Sequence, residues 1–128
     1  MESQASTSSG RQLAERFARA AANFARPRPF SADILVQFGP TPILTRVRDG
    51  AVAGLDTQPA PLRSWDFAVR ASELAWCEFW RAVPAPGWHD LFALSKRGEL
   101  SIEGNLQPLM ANLQYVKDLL ASGREASA

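Results

Sequence analysis

An α+β fold, with a mainly antiparallel five-stranded sheet and helices packed on one face, is what the hydrophobic pattern of this 128-residue chain predicts. Within residues 33–70 the segments 33–38, 43–48 and 65–70 alternate their side chains with a period of two, as strands do, whereas both flanks repeat at three and four residues, as helices do. The early strands are separated only by Gly39-Pro40 and Asp49-Gly50, turns too short for a helical crossover, so they pair as antiparallel hairpins.

A first helix opens at Ser8 or Ser9 as cap and carries Leu13, Phe17, Ala20, Ala21 and Phe24 at helical spacing, with Arg11, Arg16 and Arg19 turned away. Pro27 and Pro29 end it, because proline has no N–H to continue the ladder and forces its predecessor out of helical geometry. Ile34, Val36 and Phe38 then share one face of a strand, and Ile43, Thr45 and Val47 one face of the next. Asp49-Gly50 suits a type I′ turn into a third strand at 51–55. A proline-rich loop, TQPAPLR at 57–63, precedes a fourth strand whose Trp65, Phe67 and Val69 are expected on a single face. Ser72 caps a helix with Trp76, Phe79, Trp80 and Val83 at helical spacing, and residues 88–98 form a short third helix begun or capped by Asp90. The fifth strand runs between Gly98 and Gly104. Asn105 then caps a last helix with Pro108 in its first turn and Leu106, Leu109, Met110, Leu113, Val116 and Leu120 on one wide apolar face. The domain is expected at residues 9–121, with tails at 1–8 and 122–128.

Composition narrows the function classes. A 46% hydrophobic content fits one soluble domain with one core, and no apolar run approaches the ~18 residues that cross a bilayer. The single cysteine, Cys77, excludes an internal disulfide, and with His89 the only histidine there is no ligand set for structural zinc; a cytoplasmic, reducing location and no cofactor follow as expectations. The net charge of +1 argues against nucleic acid as a partner. Residues 1–30 carry five arginines against two glutamates, so contact with an anionic membrane would run through Arg11, Arg16 and Arg19; the same basic, Ser- and Ala-rich stretch is also compatible with a transit peptide. His89 and Asp90 are adjacent and point ~100° apart on a helix, so they make no oriented dyad, and Cys77 has no cation near it in sequence. No catalytic residues are assigned, and the chain reads as a non-enzyme.

The segments ILVQFGPTPILTRVRDGAVAG (34–54), SWDFAVRASELAWCEFW (64–80) and above all HDLFALSKRGELSIEGN (89–105) resemble the sterol carrier protein family. In that family a helix ends in glycine, a strand of the form Gly-x-Leu-x-Ile-x-Gly-Asp follows, and a C-terminal amphipathic helix closes over the sheet. Gly98, Leu100, Ile102 and Gly104 fall on the pattern, with Asn105 in place of aspartate. The resemblance implies non-covalent binding of a fatty acid, sterol or similar apolar molecule in a tunnel between sheet and C-terminal helix. Candidate lining residues are Val36, Phe38, Val47, Trp65, Phe67, Trp76, Phe79, Trp80, Phe92, Ile102, Leu109, Met110, Leu113 and Val116. The same apolar material could instead be ordinary core, and the four tryptophans between 65 and 88 could be core plus a dimer patch. The alternative function is therefore a non-catalytic homodimerisation or interaction module whose apolar face docks a partner enzyme.

Overall fold

The computed structural model describes residues 2–81, 83, 84, 86, 88 and 90–124. Helix α1 (Glu2–Ala21) leads into a meander of β1 (Ala32–Phe38), β2 (Thr41–Arg48) and β3 (Ala51–Asp56). Strand β4 (Phe67–Ala71), α2 (Glu73–Phe79), α3 (Leu91–Lys96) and β5 (Leu100–Gly104) follow. Two short helices, α4 (Leu106–Ala111) and α5 (Leu113–Leu120), and a single 3₁₀ turn at Ala121–Gly123 complete the chain. The strands lie in the order β3-β2-β1-β4-β5 in one five-stranded sheet. The fold is α+β as expected, with three antiparallel neighbour pairs and one parallel pair, β1 with β4.

The parallel pair shapes everything on the outer side of the sheet. A parallel neighbour cannot be reached by a tight turn, so the chain leaves the β3 edge and travels back through residues 57–66 to lie beside β1. The proline-rich loop is that crossing. Elsewhere the local signals act as read: Ser72, Asp90 and Asn105 each cap a helix, accepting from the backbone N–H of Ala75, Phe92 and Gln107 at 3.1, 3.1 and 3.2 Å. Asp49 and Gly50 have φ of 50° and 82°, as a type I′ turn requires.

Four readings are corrected. Helix α1 starts at Glu2 rather than Ser8 or Ser9, since no proline interrupts Glu2–Ala21 and its one glycine, Gly10, is accommodated within the helix, and so it occupies positions expected in the N-terminal tail. Ala20 is exposed rather than on the buried face, and that face is completed by Ala14. The last helix breaks at Asn112, whose φ of −130° and ψ of 40° are not helical. Arg28 occupies the break, donating to Asn112 Oδ1 at 2.5 Å and to the Ala111 carbonyl at 2.7 Å. Finally, the chain expected to leave the domain after Ala121 stays on it to Arg124, whose guanidinium donates twice to the Phe79 carbonyl, at 2.9 and 3.1 Å.

One core lies between the sheet's inner face and the helices. Ile34, Val36, Phe38, Ile43, Val47, Phe67 and Val69 line the sheet side, and Phe17, Trp76, Trp80, Leu91, Leu94, Leu109, Val116 and Leu119 the helix side. Side chains of this size each contribute ~1.5–3 kcal/mol when buried. Trp80 is fully buried and its indole N–H donates to the Leu120 carbonyl at 2.7 Å. Gly123 lies directly over that ring: a Cβ built there would stand 2.7 Å from Trp80 Cζ2. Gly123→Ala is therefore expected to overpack the junction, destabilising the fold by ~1–3 kcal/mol and lowering the melting temperature by several degrees, as a thermal melt would record.

Candidate functional site

The candidate lining residues divide into three groups. Val36, Phe38, Val47, Phe67, Trp76, Phe79, Trp80, Leu109 and Val116 are all in the buried core, none more than 4% exposed. Phe38, Trp76 and Trp80 form a tight aromatic cluster, with centroids 4.7 Å apart for Phe38–Trp76, 5.4 Å for Phe38–Trp80 and 5.3 Å for Trp76–Trp80. Their polar edges are satisfied by the protein itself: Trp76 Nε1 donates to the Gln37 carbonyl at 2.9 Å, and Trp80 to Leu120. Buried tryptophan needs such a partner, and here no indole donor is left over for a ligand in this cluster.

The second group is incompletely buried. Phe92, Ile102 and Leu113 are half-buried, and Met110 is 57% exposed. Ile102 and Leu113 pack against the margin of the core. Helix α4 buries a single side chain, Leu109, while Leu106 and Met110 stand in solvent. The wide apolar face expected of one continuous helix is thus split: α5 buries Tyr115, Val116, Leu119 and Leu120, and α4 is held by one leucine and by Arg28 at its end.

Trp65 is the third case, and a correction. It was expected to share a face with Phe67; instead it packs on the opposite side of the sheet against Leu35, Leu44 and Ala68. It precedes the strand rather than belonging to it, because Asp66 marks the junction, donating its N–H to the Asp33 carbonyl and accepting at its carbonyl from Asn105. The four tryptophans therefore do not line one cavity: Trp76 and Trp80 are core, Trp65 is across the sheet, and half-buried Trp88 lies under the Arg97 guanidinium at 4.5 Å. His89 lies outside the described residues, and Cys77 is exposed on α2.

Two groups that matter occupy positions that the sequence pattern marks as ordinary. Thr45, within the inward stripe of β2, is fully buried, and its hydroxyl has no hydrogen-bond partner among the described residues. On the outer face, Leu35, Leu44 and Ala68 form a second small apolar cluster. The register pairs Leu35 with both Leu44 and Ala68 across neighbouring strands. The available signal was the pair of leucines at supposedly outward positions of β1 and β2.

Electrostatics across the inner face are sparse. Burial raises the Tyr115 phenol above its ordinary value near 10, against the opposing pull of Arg26, and its hydroxyl donates to the Gly50 carbonyl at 2.9 Å. Burial also lowers the Arg124 guanidinium from its ordinary value. Of the basic trio on α1, Arg16 is engaged over the Trp80 ring at 5.3 Å, whereas Arg11 and Arg19 are exposed. Among the described residues no group of three or more His, Cys, Asp or Glu side chains could hold a metal, and no helix is long and apolar enough to cross a membrane.

No family model and no curated protein matches the sequence. Solved structures to which the chain is similar include sterol carrier protein 2 like 2 from Aedes aegypti, at 18% identity and TM-score 0.49, covering 86% of this chain and 97% of that one. A sterol carrier protein domain 2 from Helicoverpa armigera matches at 12% identity and TM-score 0.48, covering 89% and 80%. Sterol carrier protein 2 from Yarrowia lipolytica, in its apo form, matches at 15% and 0.43, covering 92% and 80%. All three carry the name of the family that the strand at 98–105 resembles.

Two outcomes follow from the inner face. Thr45→Val keeps the side chain's shape and removes a hydroxyl that is desolvated without a partner, so the variant is expected to be more stable by ~1 kcal/mol in denaturant titration. For Tyr115 the folded state holds the phenolic proton more tightly than the unfolded chain does. That contribution is intact below pH ~10 and is lost as pH rises through that value towards the higher folded pKa. Tyr115→Phe should accordingly melt lower near neutrality, for want of the bond to Gly50, yet lose less stability than the parent between about pH 9 and 11.

Proposed function

We propose that the chain binds an apolar ligand, a fatty acid, sterol or molecule of similar character, non-covalently on the inner side of the sheet beneath α4 and α5. The observation that carries this reading is the weak seating of α4: a six-residue helix with one buried side chain, joined to α5 through a non-helical residue. Ile102, Leu113 and Phe92 are only half-buried, and in this reading α4 is their cover. A segment with few buried contacts opens at low cost. Displacing α4 would expose Leu109, Ile102 and Leu113 to an entering hydrocarbon, while the Phe38–Trp76–Trp80 cluster, with its donors satisfied, forms the rigid wall.

The driving force would be burial of ligand hydrocarbon, worth ~0.8 kcal/mol per methylene, so a long chain reaches micromolar affinity with few polar contacts. Such a site selects loosely. It calls for no covalent chemistry, cofactor or nucleic acid, and a cytoplasmic setting suits it. The competing reading, a dimerisation or docking module, draws on the same exposed Leu106 and Met110. Native mass spectrometry of the purified chain separates the two, since bound lipid and subunit number appear in one spectrum.

The decisive variant is Leu113→Trp. With ligand space beneath the cover, the larger ring is expected to occupy it, lowering uptake of a fluorescent fatty acid several-fold while the protein still melts cooperatively. A melting temperature reduced by the equivalent of ~1–3 kcal/mol with unchanged uptake would mean that Leu113 faces close-packed core and that the ligand does not lie there.

A further inference from the structure

The outer face of the sheet carries a pocket, separated from the inner face by the sheet itself. Where the 57–66 crossing passes over β1 and β2 it borders an open-mouthed pocket of about 250 Å³. The floor is apolar, made by the cross-strand neighbours Leu35 and Leu44, both buried. The Pro59–Pro61 segment and the half-buried indole of Trp65 supply flat apolar walls. The polar lining is Gln37, Arg63 and Arg70, with no aspartate or glutamate among the lining residues.

The two arginines differ in how they are held. Arg70 is fixed: its Nε donates to Glu103 at 3.0 Å, its Nη1 to the Gln37 side chain, and its guanidinium lies 5.9 Å from the Trp65 ring centre. Arg63 is exposed; its backbone N–H closes a turn onto the Ala60 carbonyl at 3.0 Å, and its side chain makes no hydrogen bond or ion pair among the described residues. Glu103 offsets the charge of Arg70 from outside the pocket, so Arg63 brings the uncompensated positive charge to the rim.

We propose that this pocket binds a compact aromatic carboxylate. An apolar cavity of ~150 Å³ accepts benzene, so the space here suits one ring with a short anionic arm and is too small for a long acyl chain. The ring would lie over Leu35 and Leu44 between indole and proline surfaces. The carboxylate would accept from Arg63 at the rim, a charge-assisted bond of the stronger kind, with the remaining edge of Arg70 as second donor. The walls match a flat body, and the charge selects an anion over its neutral analogue. Apolar walls with a few convergent polar groups are the usual make-up of a small-molecule site.

The test uses the full chain, labelled with ¹⁵N and at methyl groups, titrated with 4-methylbenzoate and separately with the neutral 4-methylbenzyl alcohol. Saturable shifts at the Leu35 and Leu44 methyls and the Trp65 indole, with the carboxylate binding tighter than the alcohol, are expected. Arg63→Glu, at an exposed side chain without partners, should keep the parent melting temperature and weaken 4-methylbenzoate binding roughly tenfold or more. Shifts that fail to saturate by about 10 mM, equal binding of acid and alcohol, or undiminished binding by the Arg63→Glu protein would each overturn the proposal. So would saturation confined to Ile102 and Leu113, a result that would leave the inner-face reading standing.

Discussion

Trp80 is the residue through which the helical layer is tied together. Its ring stacks on Phe17 of α1 at 6.5 Å and touches Phe38 of β1, its indole N–H donates to the carbonyl that ends α5, and Gly123 lies against its face. Arg16 covers the same ring from the α1 side. A buried indole has one donor, and here that donor meets the carbonyl at the end of α5. First helix, second helix, central strand and C-terminus thus depend on one side chain, and the close packing leaves no slack around it.

Away from that rigid centre the C-terminal helices are held unequally. Helix α5 is anchored by four buried side chains, Tyr115 among them reaching the Asp49-Gly50 turn, while α4 beyond Asn112 is anchored by one. The break is built rather than accidental: Asn112 donates to the Pro108 carbonyl, and Arg28 satisfies both Asn112 and Ala111. A helix interrupted with its orphan carbonyls satisfied is stable in its broken form, so α4 can be weakly seated without unravelling α5. The contrast between a packed aromatic wall and a lightly held cover is the physical basis for placing an apolar ligand beneath the latter.

The outer face obeys a different logic. Because β4 pairs in parallel with β1, the connection from β3 has to pass over the sheet, and its prolines and Trp65 bury Leu35, Leu44 and Ala68 there. A sheet with helices on one side thereby acquires a partial second layer, and with it a pocket flanked by arginines.

Much of this was legible in the residues. Period-two alternation at 33–48, the Asp49-Gly50 turn and the caps Ser72, Asp90 and Asn105 are local effects, decided by backbone geometry and hydrogen bonding within a few residues, and they appear where the sequence places them. The broken last helix was not legible, because Arg28, which completes the break, is 84 residues distant in sequence from Asn112. Nor was the face on which Trp65 lies: strand period carries a side chain's direction only while the chain remains in the strand, and Trp65 stands two residues before β4 begins. By itself the sequence determined the element types, the inward stripe of the sheet and the apolar character of the C-terminal segment. Tertiary structure alone decided which apolar residues became packed core, which remained half-buried and which crossed to the outer face. Those outcomes depend on strand order and on contacts between distant segments, which no local pattern encodes.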